Sequence, residues 1–190
     1  MPTAFNTPVS NALSHFPQAW ERAARVKVLI LDVDGVLTNG QIFLGPDGQE
    51  LFKAFDIQDG LGIKLLQQCG ISCAVITGRN SLVVSARCAE LGITHLFMGL
   101  AQKDVALDQL LNTINLKRDQ AAVMGDDWPD LPMMRQAGLV ACPASAHVGV
   151  KQQAHFITAQ AGGNGAVREL CDLILKAQNH YEALLKKAGE

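Results

Sequence analysis

Short β-rich runs alternate with helical stretches along most of the chain, and this alternation limits the possible folds more than any other feature. The predicted strands are residues 27–33, 71–76, 95–97, 121–124, 139–141 and 154–157. The predicted helices between them are residues 61–69, 81–91, 103–113 and 130–137. Strands that alternate with helices form a parallel sheet covered on both faces, so we predict a doubly wound, Rossmann-like α/β domain.

The length and composition are those of a single globular domain. A chain of 190 residues can bury a sizeable core, so we expect one domain over residues 1–190. The net charge of −2 gives no electrostatic basis for binding nucleic acid or a membrane. The five cysteines are scattered and lack metal-site spacing, and no signal-like or membrane-spanning run is present. These features predict a cytoplasmic protein with reduced thiols.

One segment interrupts the alternation close to the first predicted strand. Residues 38–55 are too long for a simple connection and contain two β-like runs, 41–44 and 49–55. Between these runs lies Gly-Pro-Asp-Gly at 45–48, which is typical of a tight turn. We therefore predict an inserted β-hairpin that acts either as a lid or as an assembly surface.

The two ends of the chain are expected to differ in order. Residues 1–14 are predicted to be flexible and 16–25 to form a helix that leads into the first strand. Near the other end, a Gly-rich stretch at 161–165 precedes a predicted long helix over 165–187, with Arg168 within reach of an anion. We expect this tail, residues 161–190, to help close a site of its own chain or of a neighbour; a linker to a packing helix is the alternative.

Two aspartates follow the first strand on the same side of the backbone. The apolar run 28–31 leads directly into Asp32-Val33-Asp34-Gly35, and side chains two residues apart on an extended strand point the same way. Carboxylates this close repel each other unless a cation lies between them. A strand that merely ends in a polar turn is the alternative interpretation.

Polar residues also follow the later strands, and parallel strands bring their carboxyl ends to one edge of the sheet. These residues are Thr77 and Arg79 after the second strand, Lys103 after the third, and Asp126, Asp127 and Asp130 after the fourth. Acidic oxygen ligands without Cys or His companions favour Mg²⁺. Asp127 has an alternative role as the N-cap of a helix at Pro129, which leaves Asp126 free to bind a metal.

This set of side chains suits phosphoryl transfer. Thr77 and Lys103 can donate hydrogen bonds to phosphoryl oxygens, although a lysine at the start of a helix is often only solvated. The carboxylate of Asp32 can act as the nucleophile once charge is withdrawn from phosphorus. Asp34 can protonate the leaving alcohol and then deprotonate the incoming water.

The motifs Asp-x-Asp-Gly, Thr-Gly-Arg, a single Lys and Gly-Asp-Asp-x-x-Asp, in this order, resemble the haloacid dehalogenase-like phosphatases. The resemblance implies that Asp32 forms an aspartyl-phosphate and that Asp34 is the general acid/base. It also implies that Thr77 and Lys103 bind the phosphate. The implied Mg²⁺ ligands are Asp32, the backbone carbonyl of Asp34 and Asp126, with Asp127 and Asp130 in support.

The chain has no room for the cap domain that gives many of these phosphatases their specificity. Only the predicted hairpin lies between Asp34 and Leu61, and about 25 residues separate Thr77 from Lys103. An open site suits a macromolecular substrate unless another subunit closes it. Assembly through the hairpin is therefore expected to supply the missing walls.

Further segments resemble the capless members of this family that release phosphate from an eight-carbon sugar acid in lipopolysaccharide synthesis. They lie at 53–64, 79–87, 91–96 and 162–169. This resemblance implies that the chain forms a homotetramer. The implied substrate contacts are Asp34, Asp56, Ile57, Gln58, Asp59, Gly60, Lys64, Arg79, Arg87 and Lys103. The basic side chains suit a sugar carboxylate, although Lys64 stands where relatives carry an arginine that can bind it through two nitrogens.

Three alternatives stay open at this point. Asp56 and Gln58 stand where many relatives carry Asn and Arg, so the substrate could instead be a related nine-carbon sugar acid phosphate. A phosphoprotein would also fit an open site. A third possibility is a non-catalytic assembly or regulatory subunit, which the intact set of polar strand-end residues argues against.

Overall fold

Eight strands form two sheets in the computed structural model, which describes residues 17–190. The strands are β1 (Val28–Leu31), β2 (Phe43–Leu44), β3 (Glu50–Phe52), β4 (Ser72–Ile76), β5 (His95–Phe97), β6 (Ala121–Met124), β7 (Leu139–Cys142) and β8 (Phe156–Ile157). The large sheet has the order β5-β4-β1-β6-β7-β8, and all its pairs are parallel. The predicted parallel sheet is therefore confirmed.

Helices cover both faces of this sheet. They are α1 (Pro17–Ala23), α2 (Ile57–Gln68), α3 (Leu82–Glu90), α4 (Lys103–Thr113), α5 (Leu131–Met134), α6 (Val148–Lys151), α7 (Ala166–Ala177) and α8 (Tyr181–Ala188). Leu29 and Leu31 of β1 pack with α1, α2, α3 and α7, whereas Val28 and Ile30 pack with α4, α5 and α6. Both faces of β1 are thus buried, which explains its unbroken apolar sequence.

The register of the central strands brings their carboxyl ends together. Leu31, the last residue of β1, pairs with Val75 of β4 on one side and Met124 of β6 on the other. The residues that follow these three strands therefore emerge side by side at one edge of the sheet. This edge is where the sequence predicts a site.

The predicted hairpin is present as the antiparallel pair β2–β3. The rings of Phe43 and Phe52 stack with their centroids 4.5 Å apart, and Leu44 and Leu51 are also exposed on this pair. Within residues 17–190 no cap domain is inserted, because residues 77–102 contain only α3 and β5. The hairpin is the only insertion of this kind in the described part of the chain.

Several boundaries differ from the sequence predictions, and two of them have a local cause in the structure. Helix α2 begins at Ile57, four residues before the predicted start, because the Asp56 carboxylate accepts hydrogen bonds from the backbone N–H groups of Gln58 and Asp59. The prediction of one long helix over 165–187 is wrong: α7 ends at Ala177 and α8 begins at Tyr181. Asn179 between them has a φ of 60°.

Two other predictions concern the ends of the chain. The lead-in helix is confirmed as α1, whereas the prediction of a flexible segment over residues 1–14 lies outside the described residues. No helix within 17–190 combines the length and the apolar character needed to cross a membrane.

Candidate active site

A buried lysine and two aspartates form the centre of the site at the carboxyl edge of the sheet. Lys103, the first residue of α4, lies 2.7 Å from an oxygen of Asp32 and 2.7 Å from an oxygen of Asp130. All three residues are buried. We call Asp32, Lys103 and Asp130 the core cluster, since each member is held by an element that packs on the large sheet.

Asp130 also fixes the loop after β6. Its Oδ2 accepts hydrogen bonds from the backbone N–H groups of Asp126 (3.0 Å) and Asp127 (3.3 Å), and its Oδ1 is used by Lys103. Both oxygens of Asp130 therefore have protein partners. The Asp127 side chain accepts from the backbone N–H of Trp128, as expected of the N-cap in the alternative interpretation.

The arrangement of three carboxylates fits a divalent cation. Asp32, Asp126 and Asp130 each offer an oxygen, and these atoms all lie within 4.8 Å of one another. Burial, with repulsion from Asp32, Asp130 and Asp127, raises the pKa of Asp126 to about 7. Burial and Asp130 raise the pKa of Asp32 to about 6, although Lys103 opposes this rise. A bound cation would relieve this repulsion, and an all-oxygen donor set suits Mg²⁺.

The carboxylates of Asp32 and Asp130 also shift the pKa of Lys103. Burial alone disfavours the ammonium ion, but Asp32 and Asp130 more than offset this effect, so the pKa of Lys103 is raised. The side chain is therefore positively charged at neutral pH. A fixed positive charge beside Asp32 is what a phosphate ligand requires.

The glycine after Asp34 makes room for Asp126. Gly35 has a φ of 97°, and a Cβ atom at this position would overlap the Asp126 carboxylate. The turn over Val33–Leu37 is closed by a hydrogen bond from Thr38 N–H to the Val33 carbonyl (3.0 Å). Only glycine allows both this backbone conformation and this contact.

A second buried lysine contacts the other predicted catalytic aspartate. Lys53 follows β3, and its Nζ lies 2.5 Å from Asp34 Oδ1 and 3.0 Å from Glu50 Oε2. The Ser81 hydroxyl donates a hydrogen bond to Glu50 Oε1. We call Asp34, Glu50 and Lys53 the hairpin cluster. Sequence reasoning did not place Glu50 and Lys53 in the site, although Lys53 begins the 53–64 segment that resembles the family.

Thr77 and Arg79 lie beside the hairpin cluster. Thr77 is buried after β4, and its hydroxyl accepts a hydrogen bond from the Arg79 backbone N–H at 3.4 Å. The Arg79 guanidinium lies 3.7 Å from Asp34 Oδ2 and 3.5 Å from Glu50 Oε2, and 45% of its side chain is exposed. This guanidinium is therefore accessible to a ligand at the mouth of the site.

The predicted substrate segment, residues 56–60, forms the start of α2. Asp56 is the helix cap, and Ile57 is exposed. Asp59 is only 2% exposed, and its Oδ1 accepts a hydrogen bond from the Arg168 backbone N–H at 2.7 Å. Burial raises the pKa of Asp59 to about 6. The carboxylates of Asp56 and Asp59 are thus engaged within the protein, whereas the side chain of Gln58 is exposed.

Arg87 of α3 contacts the backbone of this segment. Its Nη2 donates a hydrogen bond to the Asp56 carbonyl (3.3 Å), its Nη1 pairs with Glu90, and its guanidinium lies over the Phe55 ring. A Cβ atom on Gly60 would overlap Arg87 Nη2. In this structure Arg87 supports the backbone of the segment.

Two further predicted cations differ in availability. Lys64 lies on the exposed surface of α2. The Arg168 side chain pairs with Asp172, with Nε 2.8 Å from the carboxylate. The expectation that Arg168 lies within reach of a bound anion stays a prediction.

The Gly-rich stretch packs on the loop that carries Asp34. The Gly163 backbone N–H donates to the Val36 carbonyl at 2.9 Å, and the Gly162 N–H donates to the Ser145 hydroxyl at 3.1 Å. A Cβ atom on Gly162 would overlap the Gly35 carbonyl. The stretch therefore contacts a site of its own chain, and its part in closure around a substrate stays a prediction.

Comparison with known proteins identifies the class to which this site belongs. The family model of the haloacid dehalogenase-like hydrolases matches residues 91–170. The 3-deoxy-D-manno-octulosonate 8-phosphate phosphatase of Yersinia pestis is 47% identical over 162 residues, which are 85% of this chain and 86% of that protein. Its crystal structure has a TM-score of 0.85 and covers 87% of this chain and 89% of its own.

A further solved structure shares nearly the whole fold. It is that of the 3-deoxy-D-manno-octulosonate 8-phosphate phosphatase of Moraxella catarrhalis in complex with a magnesium ion, a phosphate ion and a KDO molecule. It is 42% identical, has a TM-score of 0.88 and covers 91% of this chain and 99% of its own. The chain therefore belongs to the 3-deoxy-D-manno-octulosonate 8-phosphate phosphatase family of the haloacid dehalogenase-like hydrolases.

Proposed function

We propose that this chain is a Mg²⁺-dependent phosphatase that hydrolyses 3-deoxy-D-manno-octulosonate 8-phosphate to the free sugar acid and phosphate. The observation that carries the proposal is the meeting of Asp32, Asp126 and Lys103 at one edge of the sheet. The names of its relatives support the substrate, and the magnesium and phosphate in the Moraxella catarrhalis structure support the chemistry. The product would serve lipopolysaccharide synthesis.

Asp32 is the proposed nucleophile. One of its carboxylate oxygens attacks phosphorus, the bond between phosphorus and the sugar oxygen breaks, and an aspartyl-phosphate forms. Lys103, 2.7 Å from Asp32 Oδ1, orients the carboxylate and attracts the phosphoryl oxygens. The Thr77 hydroxyl donates a hydrogen bond to a second phosphoryl oxygen.

Asp34 is the proposed general acid and base. Its carboxyl group gives a proton to the departing sugar oxygen, which would otherwise leave as a strongly basic alkoxide. The resulting carboxylate then takes a proton from the water that attacks the aspartyl-phosphate. Phosphate leaves, and Asp32 and Asp34 return to their starting forms.

The proposed Mg²⁺ ligands are Asp32, Asp126 and the backbone carbonyl of Asp34. When bound, the ion neutralises charge on the phosphoryl oxygens and on the crowded carboxylates. Asp130 orients the ligand loop through its hydrogen bond to the Asp126 backbone, and Asp127 begins the short helical turn that follows.

Arg79 is the best-placed cation for the carboxylate of a sugar acid. Its guanidinium is close to Asp34 and partly exposed, whereas Arg87 supports the 56–60 segment from below. Lys64 and the backbone and side chains of Asp56, Ile57, Gln58, Asp59 and Gly60 are proposed to complete the substrate surface. A nine-carbon sugar acid phosphate is the competing substrate, since Asp56 and Gln58 differ from the residues expected in relatives.

The hairpin is the proposed assembly surface of a homotetramer. Its two strands expose the stacked rings of Phe43 and Phe52 and the side chains of Leu44 and Leu51, and clusters of exposed apolar residues mark interaction sites. A neighbouring subunit on the hairpin would supply a wall for a site that has no cap domain. We also propose a cytoplasmic location, where the free thiols of the chain would stay reduced.

A panel of phosphate esters tests the proposed activity. Phosphate release is measured for octulosonate 8-phosphate, a nine-carbon sugar acid phosphate and a phosphopeptide, each with Mg²⁺ and with a chelator. We expect kcat/KM for octulosonate 8-phosphate to exceed the other two by at least about tenfold, since a buried polar mismatch costs about 1–3 kcal/mol. Equal values for all three substrates, or full activity in chelator, would contradict the proposal.

A further inference from the structure

We propose that Lys53 is a positioning residue for Asp34, so that the inserted hairpin determines which oxygen of this carboxylate transfers the proton. The inference rests on the proposed function, because it assumes that Asp34 is the general acid. It adds a role for Lys53 and Glu50, which neither the sequence motifs nor the core cluster requires.

The first support is the burial of the Lys53 ammonium. Only 1% of the side chain is exposed, and its Nζ contacts Asp34 Oδ1 and Glu50 Oε2. Removing an ammonium ion from water is unfavourable unless the ion is paired with opposite charge and hydrogen-bonded. The two carboxylates therefore define where the ammonium lies, and the ammonium in turn holds Asp34.

The second support is the difference between the two oxygens of Asp34. Oδ1 is bound to Lys53 at 2.5 Å, whereas the cation near Oδ2 is Arg79 Nε at 3.7 Å, beyond hydrogen-bonding distance. The Asp34 side chain retains 21% exposure, so it is not closed off from a ligand. Anchoring Oδ1 leaves Oδ2 as the oxygen available to the sugar alcohol and later to water.

The third support is that Glu50 ties Lys53 to the core of the protein. Glu50 Oε1 accepts a hydrogen bond from the Ser81 hydroxyl, and Ser81 is the N-cap of α3, accepting a bond from the Val84 backbone N–H at 3.3 Å. The hairpin is thus attached to a helix that packs on the large sheet. A residue held in this way can orient a catalytic group with little loss of entropy during the reaction.

A purely structural role for Lys53 makes a different prediction. If the lysine only stabilises the hairpin, its loss would slow the hydrolysis of every phosphate ester to a similar extent. If it positions the acid, its loss would matter for a basic alkoxide leaving group and much less for p-nitrophenolate, which leaves without a proton. The dependence on leaving group separates the two roles.

The experiment compares the first chemical step in the full-length chain with Mg²⁺ present. Single-turnover release of the alcohol is measured for octulosonate 8-phosphate, glycerol phosphate and p-nitrophenyl phosphate, in wild type and Lys53→Met. We expect the rate to fall about 100-fold for the two alkyl esters and less than about fivefold for the aryl ester. KM for the sugar phosphate is expected to change by less than about twofold, because the Lys53 side chain is only 1% exposed and is not one of the proposed substrate contacts.

Two further variants separate positioning from folding. Lys53→Met/Glu50→Gln removes the lysine and the charge of one partner, which reduces the penalty of unpaired buried charge and should give the same leaving-group dependence. In an Asp34→Asn background, Lys53→Met is expected to slow the sugar ester by less than about twofold more, since both changes remove one function. Lys27→Met, an exposed lysine before β1, is the matched control and should behave as wild type.

The outcomes distinguish the inference from the proposed function. Equal losses for alkyl and aryl esters in a folded variant, independent effects of Asp34→Asn and Lys53→Met, or failure of both Lys53 variants to fold would each overturn the positioning role. If wild type hydrolyses glycerol phosphate and p-nitrophenyl phosphate but not octulosonate 8-phosphate, only the substrate assignment fails. The comparison of alkyl and aryl esters then still decides the role of Lys53.

Discussion

Two buried lysines each lie between two carboxylates, and the difference between them separates the two halves of the proposed chemistry. Lys103 in the core cluster contacts Asp32 and Asp130, whereas Lys53 in the hairpin cluster contacts Asp34 and Glu50. The members of the core cluster come from the residue after β1, from the start of α4 and from the loop after β6. The proposed nucleophile is thus held by the sheet, and the proposed acid/base is held by an insertion.

The surroundings of the two clusters also differ. The side chains of the core cluster are at most 8% exposed, whereas the hairpin cluster borders the partly exposed Arg79 guanidinium. The charges of the core cluster are therefore screened less by solvent. Removing one of them should lower the free energy of unfolding more than removing a charge from the hairpin cluster. Changes in the hairpin cluster should act mainly on proton transfer.

The largest expected effect follows from removing the nucleophile. Asp32→Asn keeps the shape of the side chain but loses the attacking carboxylate, so we expect kcat for octulosonate 8-phosphate to fall at least about 10⁴-fold. Phosphate release is the measurement, and Asp108→Asn on the surface of α4 is the matched control. A folded Asp32→Asn variant that keeps full activity would show that the core cluster does not carry the chemistry.

The next largest effect is expected from replacing the two buried lysines, one at a time. Lys103→Met leaves Asp32 and Asp130 buried without their cation, so we expect the metal-free unfolding free energy to fall by about 3–5 kcal/mol. The loss of charge stabilisation should also lower kcat/KM about 10²–10³-fold. Lys53→Met should be less destabilising, because Glu50 keeps Arg79 and Ser81 as neighbours. Urea denaturation tests this order, and equal or reversed losses would remove the distinction between the clusters.

The same comparison shows how far the sequence predicts the site. Asp32, Asp34, Thr77, Lys103 and Asp126 were located because each follows a strand and the register of a parallel sheet brings strand ends together. That rule uses only local patterns and topology. The same rule predicts that Asp32, Lys103 and Asp130 lie close together, and in the structure they are in contact.

Two members of the hairpin cluster, Glu50 and Lys53, were not predicted, and the reason is physical. Glu50 and Lys53 belong to an insertion whose packing against the sheet edge is not set by periodicity, so nothing local indicates which side chains it places beside Asp34. The 56–60 segment was recognised by resemblance, but burial of Asp59 against the start of α7 depends on tertiary packing. Local patterns do not contain such contacts.

The C-terminal break has a similar origin. The helical pattern continues across residues 178–180, which predicted one helix. In the structure Asn179 adopts a positive φ and the His180 backbone N–H donates to the Leu175 carbonyl at 2.8 Å, which ends α7. Asparagine tolerates this conformation better than most residues but does not require it.

A smaller, pH-dependent effect is expected from the core site alone. The pKa values of Asp126 (about 7) and Asp32 (about 6) lie above the usual value of 3.8, so between about pH 4 and 7 the folded state keeps protons that the unfolded state has released. Stability of the metal-free protein should therefore fall as pH rises through this interval and level off above about pH 7. Asp59, with a pKa of about 6, adds to this slope.

The effect of Mg²⁺ on thermal stability distinguishes the contribution of Asp32 and Asp126 from that of Asp59. Because Mg²⁺ binds the ionised carboxylates, its stabilising effect should grow over the same pH interval, and Tm measured by scanning calorimetry with Mg²⁺ and with a chelator tests this. In Asp126→Asn we expect most of the Mg²⁺-induced rise in Tm to disappear, whereas the slope from Asp59 stays. A Mg²⁺ effect that does not change between pH 5 and pH 8 would argue against these carboxylates as ligands.

The smallest catalytic effect should come from the outer surface of the hairpin. Phe52→Ser removes half of the stacked pair with Phe43, so we expect the proposed homotetramer to dissociate in light scattering, while kcat for octulosonate 8-phosphate falls less than about tenfold. The fall is expected because Glu50 lies on the same strand and Lys53 follows it. Val105→Ser, which changes an exposed apolar residue on α4, is the control.

Phe52→Ser is expected to change the readout of the hairpin cluster and to leave that of the core cluster unchanged. The Mg²⁺-induced rise in Tm reports on the core cluster and should match wild type, whereas the leaving-group dependence reports on the hairpin cluster and should move toward that of Lys53→Met. If dissociation occurs with neither readout changed, the hairpin serves assembly alone. If both change together, the two clusters are one cooperative unit, and nucleophile and acid/base do not have separate supports.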